Sequence, residues 1–218
     1  AITDDLAAVI LEVIQGEGGV IVGDQDWLHA VQDKCQKTNT LFIVDEVQTG
    51  VGRTGYKFAY QGVGLDPDIV TSAKALANGL PVGAMIGKAK LGSAFGPGTH
   101  GSTFAGNPLT MAAAQAVLTQ LTPAFLEKVQ DKAGAVWAEL DRFDDLKVVK
   151  SVSGRGLMIG IHLTDDLAVN DVIKALHKKG LLTLSAVGNT LRLLPPLVMS
   201  KNDLLSGLHT IYQTLEEK

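Results

Sequence analysis

Two apolar runs, LAAVILEVI at residues 6–14 and TLFIV at 40–44, constrain this chain more than anything else in it. Neither alternates polar with apolar residues, so each predicts a strand buried on both faces, the pattern of a parallel sheet. Between them, WLHAVQDKCQKTN (27–39) sets Leu28, Val31 and Cys35 at helical spacing, with Asp24 or Asp26 as the candidate N-cap. Strand, helix, strand in that order predicts a β–α–β crossover. Short apolar pieces at 68–72 (DIVTS) and 81–87 (PVGAMIG) extend the first half into an open α/β layer. A chain that enters a core strand within a few residues of Ala1, which is not a methionine, reads as a piece of something longer.

Residues 107–121 predict a helix with Leu109, Ala113, Val117 and Leu121 along one stripe and Pro108 near its start. Thr122-Pro123 breaks that pattern, and a new amphipathic helix runs through Phe125, Val129, Val136 and Leu140. Strands are expected at 147–152 and 156–163, then a helix at about 166–179 stopped by Gly180. Two short strands should surround Leu182 and Leu191, and a last helix from about Ser200 carries Leu204, Leu208, Ile211 and Leu215. The break near Thr122 marks a domain boundary: residues 1–122 form an α/β unit, and 123–218 a smaller α+β domain.

The bulk numbers exclude several classes. With 46% hydrophobic and 19% charged residues in 218, the chain has material for a core and no sign of global disorder. A net charge of −4 and the lack of any basic run argue against a nucleic-acid partner. No apolar run reaches membrane-spanning length, so no membrane partner is expected. The single cysteine, Cys35, rules out an intramolecular disulfide and suits a cytoplasmic setting. The five histidines show no ligand spacing, so no metal site is expected.

Two familiar motifs are decoys. GVGRTG (50–55) matches a dinucleotide fingerprint literally, but DEVQT separates it from the apolar run and no amphipathic helix starts at Gly55. LFIVDE resembles the acidic strand of a nucleotide triphosphatase, yet its phosphate loop is missing: GAMIGKAK (83–90) has the wrong spacing and no hydroxyl after the lysine. TSAKALANGLPVGA (71–84) is more informative. Lys74 sits there among small and apolar residues, and either its ammonium snorkels to solvent or its amine serves as a nucleophile. Asp45 ends one strand and Lys74 follows another, at the carboxyl edge where open α/β sheets bind ligands. Such a pair can be a plain ion pair. It can also serve pyridoxal phosphate, whose aldehyde reacts with a lysine amine and whose ring nitrogen is held protonated by a carboxylate.

The wording of the motifs then becomes specific. IVDEVQTGVGRTG (43–55), DPDIVTSAKALANGLPVGA (66–84) and HGSTFAGNPL (100–109) closely resemble the class III, fold type I aminotransferases. EVIQGEGG (12–19) and LRLLPPL (191–197) flank them in the order of that family. The resemblance covers essentially the whole chain, but only the second half or so of a complete member. It implies an α/β fold: the C-terminal part of a large cofactor domain with a mainly parallel sheet, followed by a small α+β domain. It implies pyridoxal 5'-phosphate as cofactor. Lys74 matches the lysine that bonds the cofactor and then moves the proton, and Asp45 the partner of the ring nitrogen. Val47 matches the aliphatic side chain against one ring face, and Gln48 the group bonded to the phenolic oxygen. Thr103 matches a hydroxyl that reaches the phosphate of a neighbouring subunit, which implies a homodimer, and Ser102 a substrate contact. Arg192 matches the arginine that takes the substrate α-carboxylate, and Glu17 a glutamate that pairs with it when no dicarboxylate is bound.

Val13 stands where the family usually has proline, and Asn78 where glycine is frequent. An upstream S-G-x-E-A loop and an aromatic covering the second ring face are not in the chain. The resemblance therefore implies a parent that transfers the terminal amino group of N-acetylornithine to 2-oxoglutarate in arginine biosynthesis, with little turnover expected of this piece alone. Succinylornithine, ornithine and 4-aminobutyrate are alternative donors. A non-enzymatic α/β subunit or binding domain is the alternative from another class.

Overall fold

The computed structural model describes residues 2–218, so the abrupt start at Ala1 lies outside it. The chain divides into two units. One comprises residues up to Val13 with Gly23–Gly52 and Tyr56–Phe125; the other comprises Ile14–Val22, Arg53–Gly55 and Leu126–Lys218.

The first strand, β1 (Ala8–Leu11), belongs to the first unit, whereas β2 (Ile14–Gln15) and β3 (Ile21–Val22) form a short hairpin of the second. Helix α1 (Gln25–Lys37) begins at Asp24, whose carboxylate accepts the Trp27 N–H at 2.8 Å, so Asp24 rather than Asp26 is the cap. It buries Leu28, Gln32 and Cys35, and Gln32 Oε1 accepts the Asp66 N–H at 2.6 Å. Strand β4 (Leu41–Asp45) follows, then the short helix α2 (Ala59–Gly62), strands β5 (Ile69–Ser72) and β6 (Ala84–Gly87), and helix α3 (Pro108–Gln120). The sheet order is β1-β4-β5-β6, with β1/β4 and β4/β5 parallel and only β5/β6 antiparallel. The fold is thus α/β with a mainly parallel sheet.

Phe42 and Val44 are sealed, while Leu41, Ile43 and Asp45 on the alternate face of β4 stay half-open. The expectation that 6–14 is buried on both faces fails within this chain. β1 lies at the sheet edge and leaves Ile10 59% exposed, because hydrophobic runs do not reveal how many neighbours a strand has. The stripe expected on α3 holds at Leu121, which is buried, and in part at the half-buried Ala113 and Val117, but not at its start. Thr110 and Ala114 are buried, whereas Leu109 is 68% exposed. This helix is apolar nearly all round, so its pattern does not select a face; packing against the turn Lys74–Ala77 does.

The second unit takes α4 (Pro123–Leu140) from Leu126 onward, and this stretch buries Val129, Ala133, Val136 and Leu140. Strands β7 (Val149–Arg155) and β8 (Met158–Leu163) precede α5 (Val169–Lys178), β9 (Leu184–Ala186), β10 (Thr190–Leu193) and α6 (Lys201–Glu216). The strands form an antiparallel sheet of order β7-β8-β10-β9. Ser200 caps α6 by accepting the Asp203 N–H, and Leu204, Leu208, Ile211 and Leu215 are all buried, as their spacing predicts. β8 starts at Met158 instead of 156 because Gly156-Leu157 makes the two-residue turn from β7. Leu182 lies outside β9 and is 85% exposed. No single helix among the described residues is long and apolar enough to cross a membrane.

Gly156 adopts φ +60°, and a Cβ there would meet the Thr54 Cα at 2.5 Å and the Arg53 carbonyl oxygen at 2.7 Å. All of these atoms are backbone of residues 53–54, so no flexible side-chain atom is there to yield. Gly156→Ala is therefore expected to cost roughly 2–4 kcal/mol of unfolding free energy in urea titrations, left-handed strain adding to overpacking. An unchanged midpoint would contradict this packing.

Candidate active site

Asp45 is the last residue of β4 and stands in register with Thr71 on β5. Its Oδ1 accepts two hydrogen bonds, from the Thr71 hydroxyl at 3.1 Å and from the Val47 N–H at 2.9 Å. Both fall on one oxygen, so the carboxylate plane is set while Oδ2 bonds to no described residue. Because β4 and β5 run parallel, Lys74, two residues past the end of β5, lies at the same carboxyl edge. The lysine opens the turn Lys74–Ala77 at φ +50°, a left-handed conformation that costs a non-glycine residue about 1–3 kcal/mol. Its side chain is exposed, and its ammonium makes no hydrogen bond or ion pair among the described residues. Asn78 ends the turn at φ +49°, the region where glycine costs least and asparagine is the next best choice.

Val47 and Gln48 are half-buried on the loop leaving β4, and that loop is organised by Glu46. The Glu46 carboxylate is fully buried and accepts from the Thr49 hydroxyl at 2.6 Å and from the Ala59 and Tyr60 N–H groups at 2.9 and 2.7 Å. Its main-chain oxygen takes the Gly50 N–H. Sequence reasoning missed Glu46 and Thr71. The acidic pair in LFIVDE was visible, but nothing local says that its second member turns inward. Ser102 and Thr103 lie exposed before α3, and neither bonds to Asp45 or Lys74.

The second unit holds the other pair. Arg192 Nη1 lies 2.8 Å from Glu17 Oε1, and the arginine side chain is only 10% exposed against 68% for the glutamate. Arg192 Nη1 also reaches the Gly16 carbonyl at 3.4 Å. Residues 50–55 form turns with Gly52 and Gly55 at positive φ, and no helix begins at Gly55, so they do not build a dinucleotide loop. Arg53 from that segment is buried, donating to the Leu157 and Pro195 carbonyls, and burial pulls its pKa down to about 10.

The family follows from comparison with known proteins. The class-III aminotransferase family model matches residues 1–215. The chain belongs to the class-III aminotransferases. It is 61% identical to an acetylornithine aminotransferase of Lactiplantibacillus plantarum over 98% of this chain and 55% of that protein. It is 48% identical to one from Streptococcus mutans, over 99% and 57%. Among solved structures, the N-acetylornithine aminotransferase of Stenotrophomonas maltophilia shares 34% identity at a TM-score of 0.85, over 98% of this chain and 57% of that one. The Plasmodium falciparum ornithine delta-aminotransferase shares 35% at 0.90, over 97% and 56%. The chain spans about half the length of the curated relatives it matches.

Class-III aminotransferases use pyridoxal phosphate, and the donor set here fits that group. A carboxylate presents an open oxygen, an amine with no partner among the described residues stands on the same sheet edge, and an aliphatic and an amide side chain occupy the adjoining loop. Burial raises the Glu46 pKa, against the opposing pull of its three donors. A raised folded-state value means that this group's contribution to stability is full in acid and is lost as pH climbs through that value. Glu46→Gln mimics the protonated carboxyl, so in urea titrations the wild type should lose ground to it as pH rises from acid to neutral. Glu46→Ala orphans three donors and should cost about 2–4 kcal/mol in acid, the difference narrowing as pH rises to neutral.

Proposed function

We propose that the protein containing this chain transfers the terminal amino group of N-acetylornithine to 2-oxoglutarate in the cytoplasm, as part of arginine biosynthesis. Residues 1–122 then form the latter part of the cofactor domain and 123–218 the small C-terminal domain. The observation that carries this is the Asp45 carboxylate, tied through Oδ1 with Oδ2 open, beside Lys74 on one parallel-sheet edge. The 61% identity to an acetylornithine aminotransferase supports the choice of donor.

Pyridoxal phosphate, when bound, supplies an electron-withdrawing ring. With the group in place, Asp45 would accept a hydrogen bond from the protonated ring nitrogen and keep that charge in place. Val47 would pack on one ring face, and Gln48 would bond the phenolic oxygen. The Lys74 amine would remove a proton from the amino-bearing carbon of the donor and return one during transfer. Thr103 would reach the phosphate of a neighbouring subunit, which would make the enzyme a homodimer, and Ser102 would contact substrate. Arg192 takes the α-carboxylate through its two-pronged guanidinium, and Glu17 neutralises it when no dicarboxylate is bound. On this account the 218-residue piece alone turns over little. Ornithine is the second donor reading, favoured by the fold match to the Plasmodium ornithine delta-aminotransferase.

Borohydride treatment of the cofactor-loaded protein should leave a pyridoxyl group on the Lys74 peptide, read by mass spectrometry. Lys74→Ala should abolish that label and lower kcat by roughly 10^2–10^4-fold or more. A label on another lysine would overturn the assignment of Lys74. In a donor panel, N-acetylornithine should exceed ornithine in kcat/KM by about tenfold or more, and the reverse order would transfer the assignment to ornithine.

A further inference from the structure

Glu17 lies in the five-residue loop between β2 and β3, residues 16–20, and that loop is fastened to the sheet of the second unit from both ends. Register puts Gly160, His162, Thr190 and Arg192 on one face of the sheet, since Thr190 pairs with His162 and Arg192 with Gly160. Gly160 leaves room for the loop: a Cβ there would stand 2.9 Å from the Val20 Cβ and 3.1 Å from the Gly19 carbonyl oxygen. At the far end of the loop, the Ser153 hydroxyl bonds the Val20 carbonyl at 2.8 Å. At the near end, the Val187 N–H donates to the Glu17 carbonyl at 3.1 Å, and the Val187 carbonyl accepts from the Thr190 hydroxyl at 2.9 Å. One ring joins the two ends. His162 Nε2 lies 2.7 Å from Ser153 Oγ, and Nδ1 lies 3.0 Å from Thr190 Oγ1.

We propose that His162 is a positioning residue, bridging Ser153 and Thr190 to latch the Glu17 loop onto the sheet and so set how firmly Glu17 holds Arg192. A neutral imidazole carries one N–H. It donates to one of the two hydroxyls, whose own proton then turns to its carbonyl partner, and its other nitrogen accepts from the second hydroxyl. The ring therefore ties Ser153 to Thr190 in either tautomer. The latch works against a stored load. Val20 is a β-branched residue held at φ +59° and fully buried, a conformation that persists only where its surroundings over-determine it. Without the bridge, Val20 relaxes and the Glu17 backbone loses its register against Arg192. This inference rests on the proposal that Glu17 competes with a dicarboxylate for Arg192.

The test is steady-state kinetics on the complete enzyme with both substrates varied. Glu17→Gln removes the competitor and should lower KM for 2-oxoglutarate. His162→Leu and Ser153→Ala should shift the same KM in the same direction by about three- to tenfold, with a smaller change in kcat. Glu17→Gln combined with His162→Leu should do no more than Glu17→Gln alone, because the latch acts through Glu17. Ser153→Ala removes one oxygen only and keeps the test alive should the histidine variant fail to fold. If Glu17→Gln shifts KM for 2-oxoglutarate while Ser153→Ala and His162→Leu weaken both substrates alike, or lower only Tm, the latch is wrong and the gate stands. If Glu17→Gln leaves KM unchanged, the gate itself is wrong and the latch falls with it.

Discussion

The parallel pairing of β4 with β5, in the register that sets Asp45 opposite Thr71, is the constraint on which the candidate site depends. Side chains alternate along a strand, so a slip of one residue would send the Thr71 hydroxyl to the sealed face and leave Asp45 unsupported. The parallel sense matters as much. It brings the ends of both strands to one edge, so the carboxylate and the Lys74 amine come from segments nearly thirty residues apart and still share a rim. The small residues after Lys74 then have a packing reason. Leu76 and Ala77 are buried and α3 lies against their turn, which leaves the amine on the open side.

Both units use a polar side chain to hold a loop, a buried one in the first and a half-buried one in the second. Glu46 gathers three donors and so shapes the loop carrying Val47 and Gln48. His162 does the corresponding work for the loop carrying Glu17. A carboxylate out of water costs several kcal/mol unless its lone pairs are satisfied, and Glu46 is satisfied three times. The left-handed residues Lys74 and Val20 sit beside these fastened segments, where rigid surroundings can keep them strained.

Much of the frame was legible from residue patterns. The four apolar positions of α6 are all buried because polar residues fill its opposite face, so periodicity had one face to choose. The run TLFIV found β4, and the strand ends in the sequence put Asp45 and Lys74 on one sheet edge, where the structure has them. What escaped has a common cause. Whether β1 is central or at an edge, which side of α3 is covered, and which carboxylate of the Asp45-Glu46 pair turns inward all depend on contacts distant in sequence. Thr71 is one hydroxyl in DIVTS and Ser72 is the next; only strand register says which of them meets Asp45. The hydroxyl–imidazole bridge of Ser153, His162 and Thr190 spans three strands and leaves no local signature.

The central claim is that Asp45, oriented by Thr71 and Val47, presents its open oxygen to a protonated ring nitrogen. The most direct measurement is the nitrogen-15 resonance of the ring nitrogen in labelled pyridoxal phosphate bound to the complete enzyme, compared with Asp45→Asn. The account predicts a protonated nitrogen throughout the neutral range in the wild type and an unprotonated one in the variant. The same protonated signal in both proteins would contradict it.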